Sequence, residues 1–218
     1  LAEMYNEVVP VLNQFPSLGE VLETVLPNFC VSSQMDGARA FLDVEYNRIV
    51  IDGDLTKAMK IGTLLHELRH LWQFFHNVCP SDDLAMKEYA RAISAIEAYA
   101  SAISLLIAWE MKDDGQDAVW EALSAWSTQS DIAFKFAKTM TESGDARLAV
   151  TSAFYQWYAS PTRRERYYVS SCSEYLDRQD ASHAIPQFES IPVGFYDRLC
   201  RLPDGRRYDC SDPDLRQN

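Results

Sequence analysis

A mainly helical α+β fold is predicted for this chain of 218 residues, with a small antiparallel sheet ahead of its first long helix. Three observations predict it. Apolar residues recur at helical spacing over most of the chain, one segment from Ala38 to Asp52 alternates instead, and Pro, Gly and Asp mark the boundaries between segments.

The first 28 residues carry helical spacing broken by Pro10, Pro16 and Pro27, so two short helices packed as a cap are expected there. Between Ala38 and Asp52, the residues Phe41, Val44, Ile49 and Ile51 stand among charged neighbours around a turn near Tyr46-Asn47-Arg48, the pattern of a β-hairpin. Asp52-Gly53-Asp54 marks the next turn. Helices are then expected from about Leu55 to Asn77 and from about Ser81 to Met111, the second capped by Ser81 or Asp82. Three more are expected near Gln116 to Met140, Asp145 to Ala159 and Pro161 to Asp180. Beyond them, about 181–218 reads as an irregular tail rich in turn residues. No repeat or low-complexity stretch interrupts the chain, which is expected to form one domain over 1–218 with its core at about 38–180.

With 47% hydrophobic and 24% charged residues the chain has the composition of a folded globular protein. A net charge of -12 repels phosphate groups, which argues against nucleic acid or an anionic membrane as partner and leaves a protein or peptide substrate as the expectation. The most apolar run, Ala98 to Trp109, is too short to span a bilayer and reads as a buried helix. Cys30, Cys79, Cys172, Cys200 and Cys210 lack CxxC spacing, so free thiols and a cytoplasmic location are the simpler expectation. The alternative concerns Cys200 and Cys210, which flank Pro203-Asp204-Gly205 and come within bridging range if the protein is exported. The sequence opens on Leu1, and the absence of a leader there decides nothing.

The chemistry concentrates in His66-Glu67-Leu68-Arg69-His70. Two imidazoles one helical turn apart reach a single cation, and a glutamate between them is rotated about 100° from His66, beside the metal's water and not on the metal. On the same helix Ile61, Leu64, Leu65, Leu68, Leu71, Trp72 and Phe75 form an apolar stripe, while His66, His70 and Gln73 lie on the opposite side, where they can line a cleft. The bland alternative is an amphipathic helix whose polar face carries two histidines by chance. A strand pair ahead of the helix offers an edge on which an extended peptide can be laid.

Zinc needs a third protein ligand, and Glu97 is the candidate. It falls within the face shared by Met86, Ala90, Ile93, Ala100 and Ser104, where a carboxylate is costly unless paired or metal-bound. A buried ion pair with Arg69 is the competing explanation. Glu88 falls on the other side near Arg91 and is expected to be solvated.

The string HELRHLWQ from His66 to Gln73, followed by Arg-x-x-x-x-x-Glu-Ala-x-Ala from Arg91 to Ala100, resembles a bacterial family of putative metallopeptidases within the broad zincin group. The resemblance covers roughly 38–105. It implies a zincin-like fold, Zn²⁺ held by His66, His70 and Glu97, and Glu67 as general base in peptide hydrolysis. Tyr99 stands where this family is expected to carry an acidic residue, so the side chain supporting the ligands is open. Tyr155, Tyr158, Tyr167, Tyr168 and His183 are candidates for a donor to the oxyanion. Arg163, Arg164 and Arg166 form a basic cluster that reads as a solvated helix start, with an acidic ligand as the alternative.

Two rivals remain at this level. Glu67-x-x-His70 is also the pair used by di-iron carboxylate bundles, but the second copy they require is missing, Asp180-x-x-His183 being the nearest substitute. A zincin scaffold kept as a non-catalytic binding or regulatory module is the other.

Overall fold

The computed structural model describes residues 16–25, 27–35 and 37–213. Of the two short helices expected at the start, α1 (Pro16–Val25) is present and the other lies outside the described residues. The hairpin pairs β2 (Ala40–Asp43) antiparallel to β3 (Arg48–Asp52). Asn47 makes its turn at φ 45, a left-handed conformation that Asn tolerates better than most residues.

A third strand, β1 (Asn28–Ser32), runs parallel to β3 in the order β1-β3-β2, so the sheet is mixed and not purely antiparallel. β1 falls where no strand was expected. Its half-exposed Asn-Phe-Cys-Val-Ser pattern gives little local signal, and only its pairing with the buried Ile49, Val50 and Ile51 fixes it. β2 is left as an edge.

After an Asp52 side-chain turn, in which Asp54 N–H donates to Asp52 Oδ1 at 2.9 Å, Thr56 caps α2 (Lys57–Phe75) by accepting from Met59 N–H. The apolar stripe on α2 is buried against α1, the sheet and α3, Phe75 only partly. Its opposite side is not a solvent face, since Glu67, Arg69 and Gln73 are buried as well.

α3 (Met86–Asp113) is about 42 Å long and is the central helix, packed by α2, α4 (Asp117–Ala125), α5 (Ser130–Ser143), α6 (Ala146–Ala159) and α7 (Pro161–Ser182). It begins later than its expected Ser81 or Asp82 cap, because Ser81 closes a local turn with Asp83 and Leu84 bridges to Glu189. By length and composition α3 is apolar enough to cross a membrane, a property the run from Ala98 to Trp109 alone lacks, but here 83% of its most apolar window is buried within the fold. A row of alanines, among them Ala95, Ala98 and Ala102, lets the neighbouring helices approach closely.

The single helix expected over Gln116 to Met140 is two. Trp126 is extended, and a turn in which its carbonyl accepts from the Gln129 and Ser130 N–H groups separates α4 from α5. α7 starts on Pro161 behind a Ser160 cap.

The tail is packed onto the core. It contains the short helix α8 (Phe195–Leu199), buried Tyr208 and Cys210, and an Arg91–Asp212 ion pair at 2.6 Å. Cys200 and Cys210 form a disulfide across the Pro203-Asp204-Gly205 turn, with Cα atoms 5.7 Å apart, which corrects the expectation of five free thiols. Cys30, Cys79 and Cys172 are free.

Candidate metal centre

The i, i+4 spacing on α2 turns His66 and His70 together, with their Nε2 atoms 3.0 Å apart. α3 passes alongside and brings Glu97 to them: Oε2 lies 3.4 Å from His66 Nε2 and Oε1 lies 3.3 Å from His70 Nε2. Donor atoms held at about 2.0–2.1 Å from a tetrahedral zinc stand roughly 3.3 Å apart, so these two imidazoles and one carboxylate fit that ion in both chemistry and spacing. Among the described residues they form the one such group of ligating side chains.

Arg69, the alternative partner of Glu97, points elsewhere. Its guanidinium is wholly buried, lies over the rings of Trp72 at 4.7 Å and Tyr99 at 5.1 Å, and donates from Nη2 to the Tyr99 hydroxyl. The Tyr99 hydroxyl in turn donates to the Arg201 carbonyl at 3.1 Å. Tyr99 therefore serves Arg69 and not the ligands. What supports His70 is Gln73, whose Oε1 is 2.8 Å from His70 Nδ1 and whose Nε2 donates to the Ile96 carbonyl at 2.9 Å. The helical pattern places Gln73 on the histidine side of α2, yet nothing in the sequence marks it as their partner.

Glu67 sits beside the group, only 7% exposed. Burial raises its pKa; His70 and His66 oppose that, Glu97 adds to it, and a hydrogen bond from the Leu42 backbone N–H opposes it again, with the pKa raised on balance. For Glu97, burial pushes upward too, but the charge of His70 and hydrogen bonds from both imidazoles outweigh it and hold the carboxyl well below the usual range. Burial works against a charged His70, and Glu97 overcomes it with help from Glu67 and Gln73, lifting the ring from 6.5 to about 9. Two neighbouring carboxyls thus have pKa values pushed apart.

The group opens into a cleft of about 1280 Å³ between the free edge of β2, α2, α3 and α7. Of the five candidate donors, Tyr167 lines this cleft, and its hydroxyl hydrogen-bonds Glu97, which with burial holds its pKa far above normal. Tyr155 pairs with Ser211 at 3.1 Å, the half-buried Tyr158 keeps its hydroxyl buried beside Tyr196, Asp212 and Tyr208, Tyr168 is exposed next to Cys172, and His183 caps α7 at the surface. Asp180, too, is exposed, so the substitute di-iron pair is not in the cleft.

The basic cluster is divided. Arg163 is committed to Asp131 at 2.6 Å and to the Thr128 and Trp157 carbonyls, Arg164 is exposed, and Arg166 stands on the cleft wall. Glu88 is not solvated as expected: it pairs with Arg91 and accepts from Ile191 N–H at 3.2 Å.

One family model matches residues 1–210, and its description is "Putative metallopeptidase family (DUF6782)". No curated protein and no solved structure matches the chain.

Proposed function

This chain belongs to that putative metallopeptidase family, and from that premise we propose that it is a zinc-dependent hydrolase of peptide bonds in protein or peptide substrates. The observation that carries the reading is the convergence of His66, His70 and Glu97 at ligand spacing with the buried Glu67 beside them, on the floor of an open cleft. When bound there, zinc supplies Lewis acidity at neutral pH.

The chain's own residues do the rest. Glu67, with its raised pKa, takes the proton of the attacking water and hands it to the leaving amine. Tyr167 keeps its proton and donates to the oxygen on which negative charge develops. The outward backbone groups of β2 that no strand covers, apart from the Leu42 N–H given to Glu67, give an extended substrate a partner for pairing.

The test uses purified protein, elemental analysis and a peptide-library assay. About one equivalent of zinc is expected, lost in His66→Ala. Glu67→Gln is expected to keep the zinc and to lose hydrolysis by about 10²–10⁴-fold. A zinc-free wild type after growth in ample zinc, or undiminished hydrolysis by Glu67→Gln, overturns the reading.

A further inference from the structure

Gln73 is fully buried and its amide is held at both ends. The Ile96 carbonyl can only accept, so the end of the amide facing it, 2.9 Å away, is the NH₂ group. The other end, 2.8 Å from His70 Nδ1, is consequently the carbonyl oxygen, which also can only accept. His70 Nδ1 must then carry a hydrogen. In the neutral ring that leaves the lone pair on Nε2, the atom that faces His66 Nε2 and Glu97 Oε1.

We propose that Gln73 is a positioning residue for the metal centre: an amide anchored to the α3 backbone that fixes the His70 ring in its Nδ1–H tautomer and aims Nε2 at the ion. Its anchor, Ile96, immediately precedes Glu97 in the chain. One turn of α3 therefore supplies a ligand and also locks another ligand that sits on α2. Because Gln73 is wholly buried, water does not take over its role in either hydrogen bond. The partner is a neutral amide and leaves the ring less electron-rich than a carboxylate would. In the charged ring both nitrogens donate, Nδ1 to Gln73 and Nε2 to Glu97; the lock consists in the 2.8 Å bond to Gln73 outweighing the 3.3 Å contact to Glu97 once the ring is neutral, and only its consequence for zinc rests on the metallopeptidase reading.

The two parts are tested separately. Nitrogen NMR of histidine-labelled, metal-stripped full chain, at a pH high enough to neutralise the rings, reads which ring nitrogen of His70 bears hydrogen. Wild type is expected to show it on Nδ1. Gln73→Leu is expected to shift both nitrogens toward a mixture of tautomers, and chelator competition is expected to show zinc bound about 10–100-fold more weakly. Gln73→Glu keeps an acceptor against Nδ1 and should restore the wild-type nitrogen pattern. Hydrogen on Nε2 in wild type, or a folded Gln73→Leu variant with unchanged pattern and unchanged zinc affinity, overturns the proposal. If Gln73→Leu does not fold, the wild-type pattern decides by itself. If wild type binds no zinc but shows Nδ1–H, the metal reading fails and the tautomer lock stands.

Discussion

The backbone N–H of Leu42 donates to the Glu67 carboxylate, so the edge strand and the histidine helix share one acid. Arg39 O accepts from Asp52 N–H, which places 39, 41 and 43 toward β3 and turns Leu42 to the free edge. The strand on which a substrate can pair thus already tunes the group read as the base.

Leu42→Pro removes that donor without breaking the β2–β3 ladder, an edge position where proline is tolerated. A hydrogen bond to the charged carboxylate lowers its pKa, so losing it raises the Glu67 pKa further. The acidic limb of the kcat/KM profile is expected to move to higher pH in the variant. An unmoved limb excludes Glu67 as the group titrating there.

Tyr167→Phe removes the one of the five named candidate donors that lines the cleft. Its expected effect is a fall in kcat of about 10²–10³-fold, with zinc content kept because His66, His70 and Glu97 are intact. Steady-state kinetics together with metal analysis separate this from loss of the ion.

Tyr99→Phe leaves Arg69 with no hydrogen-bond acceptor among the described residues, since its Nε and Nη1 already lack one. A loss of about 1–3 kcal/mol in stability is expected, read from the urea midpoint. Zinc stoichiometry should not change, as the Tyr99 hydroxyl is engaged by Arg69 and the Arg201 carbonyl.

Glu110 supplies a pH-dependent term. Burial, with the carboxylates of Asp204, Asp113 and Asp114, raises its pKa from 4.5 to about 7 against the opposing Arg206. Between those values the folded chain holds a proton that the unfolded chain has released, so stability present below pH 4.5 is lost as pH rises through about 7. Glu110→Gln should match wild type in thermal midpoint near pH 4 and exceed it at pH 8. Equal midpoints at pH 8 count against a perturbed Glu110.

The parts of this molecule legible in the sequence are those with local periodicity. The hairpin, α2 and α3 announce themselves by spacing, and the same spacing puts His66 beside His70 and Glu97 on an apolar face. β1 does not, because its partner β3 lies beyond the intervening strand β2 and its own side chains are half exposed. Tyr167 is indistinguishable from Tyr168 until α7 is packed against α3, when one faces Glu97 and the other solvent. Arg69 offers the same lesson from inside the motif. Sequence offers Glu97 as its counter-ion, while packing gives it two aromatic faces and a hydroxyl.

Arg201 lies just inside the ring closed by Cys200 and Cys210, and its carbonyl receives the hydroxyl on which Arg69 depends. A covalent staple near the end of the chain thereby braces the back of the histidine helix. The closed ring is thus tied, through the Tyr99 hydroxyl and the Arg69 guanidinium, to the helix that carries His66 and His70.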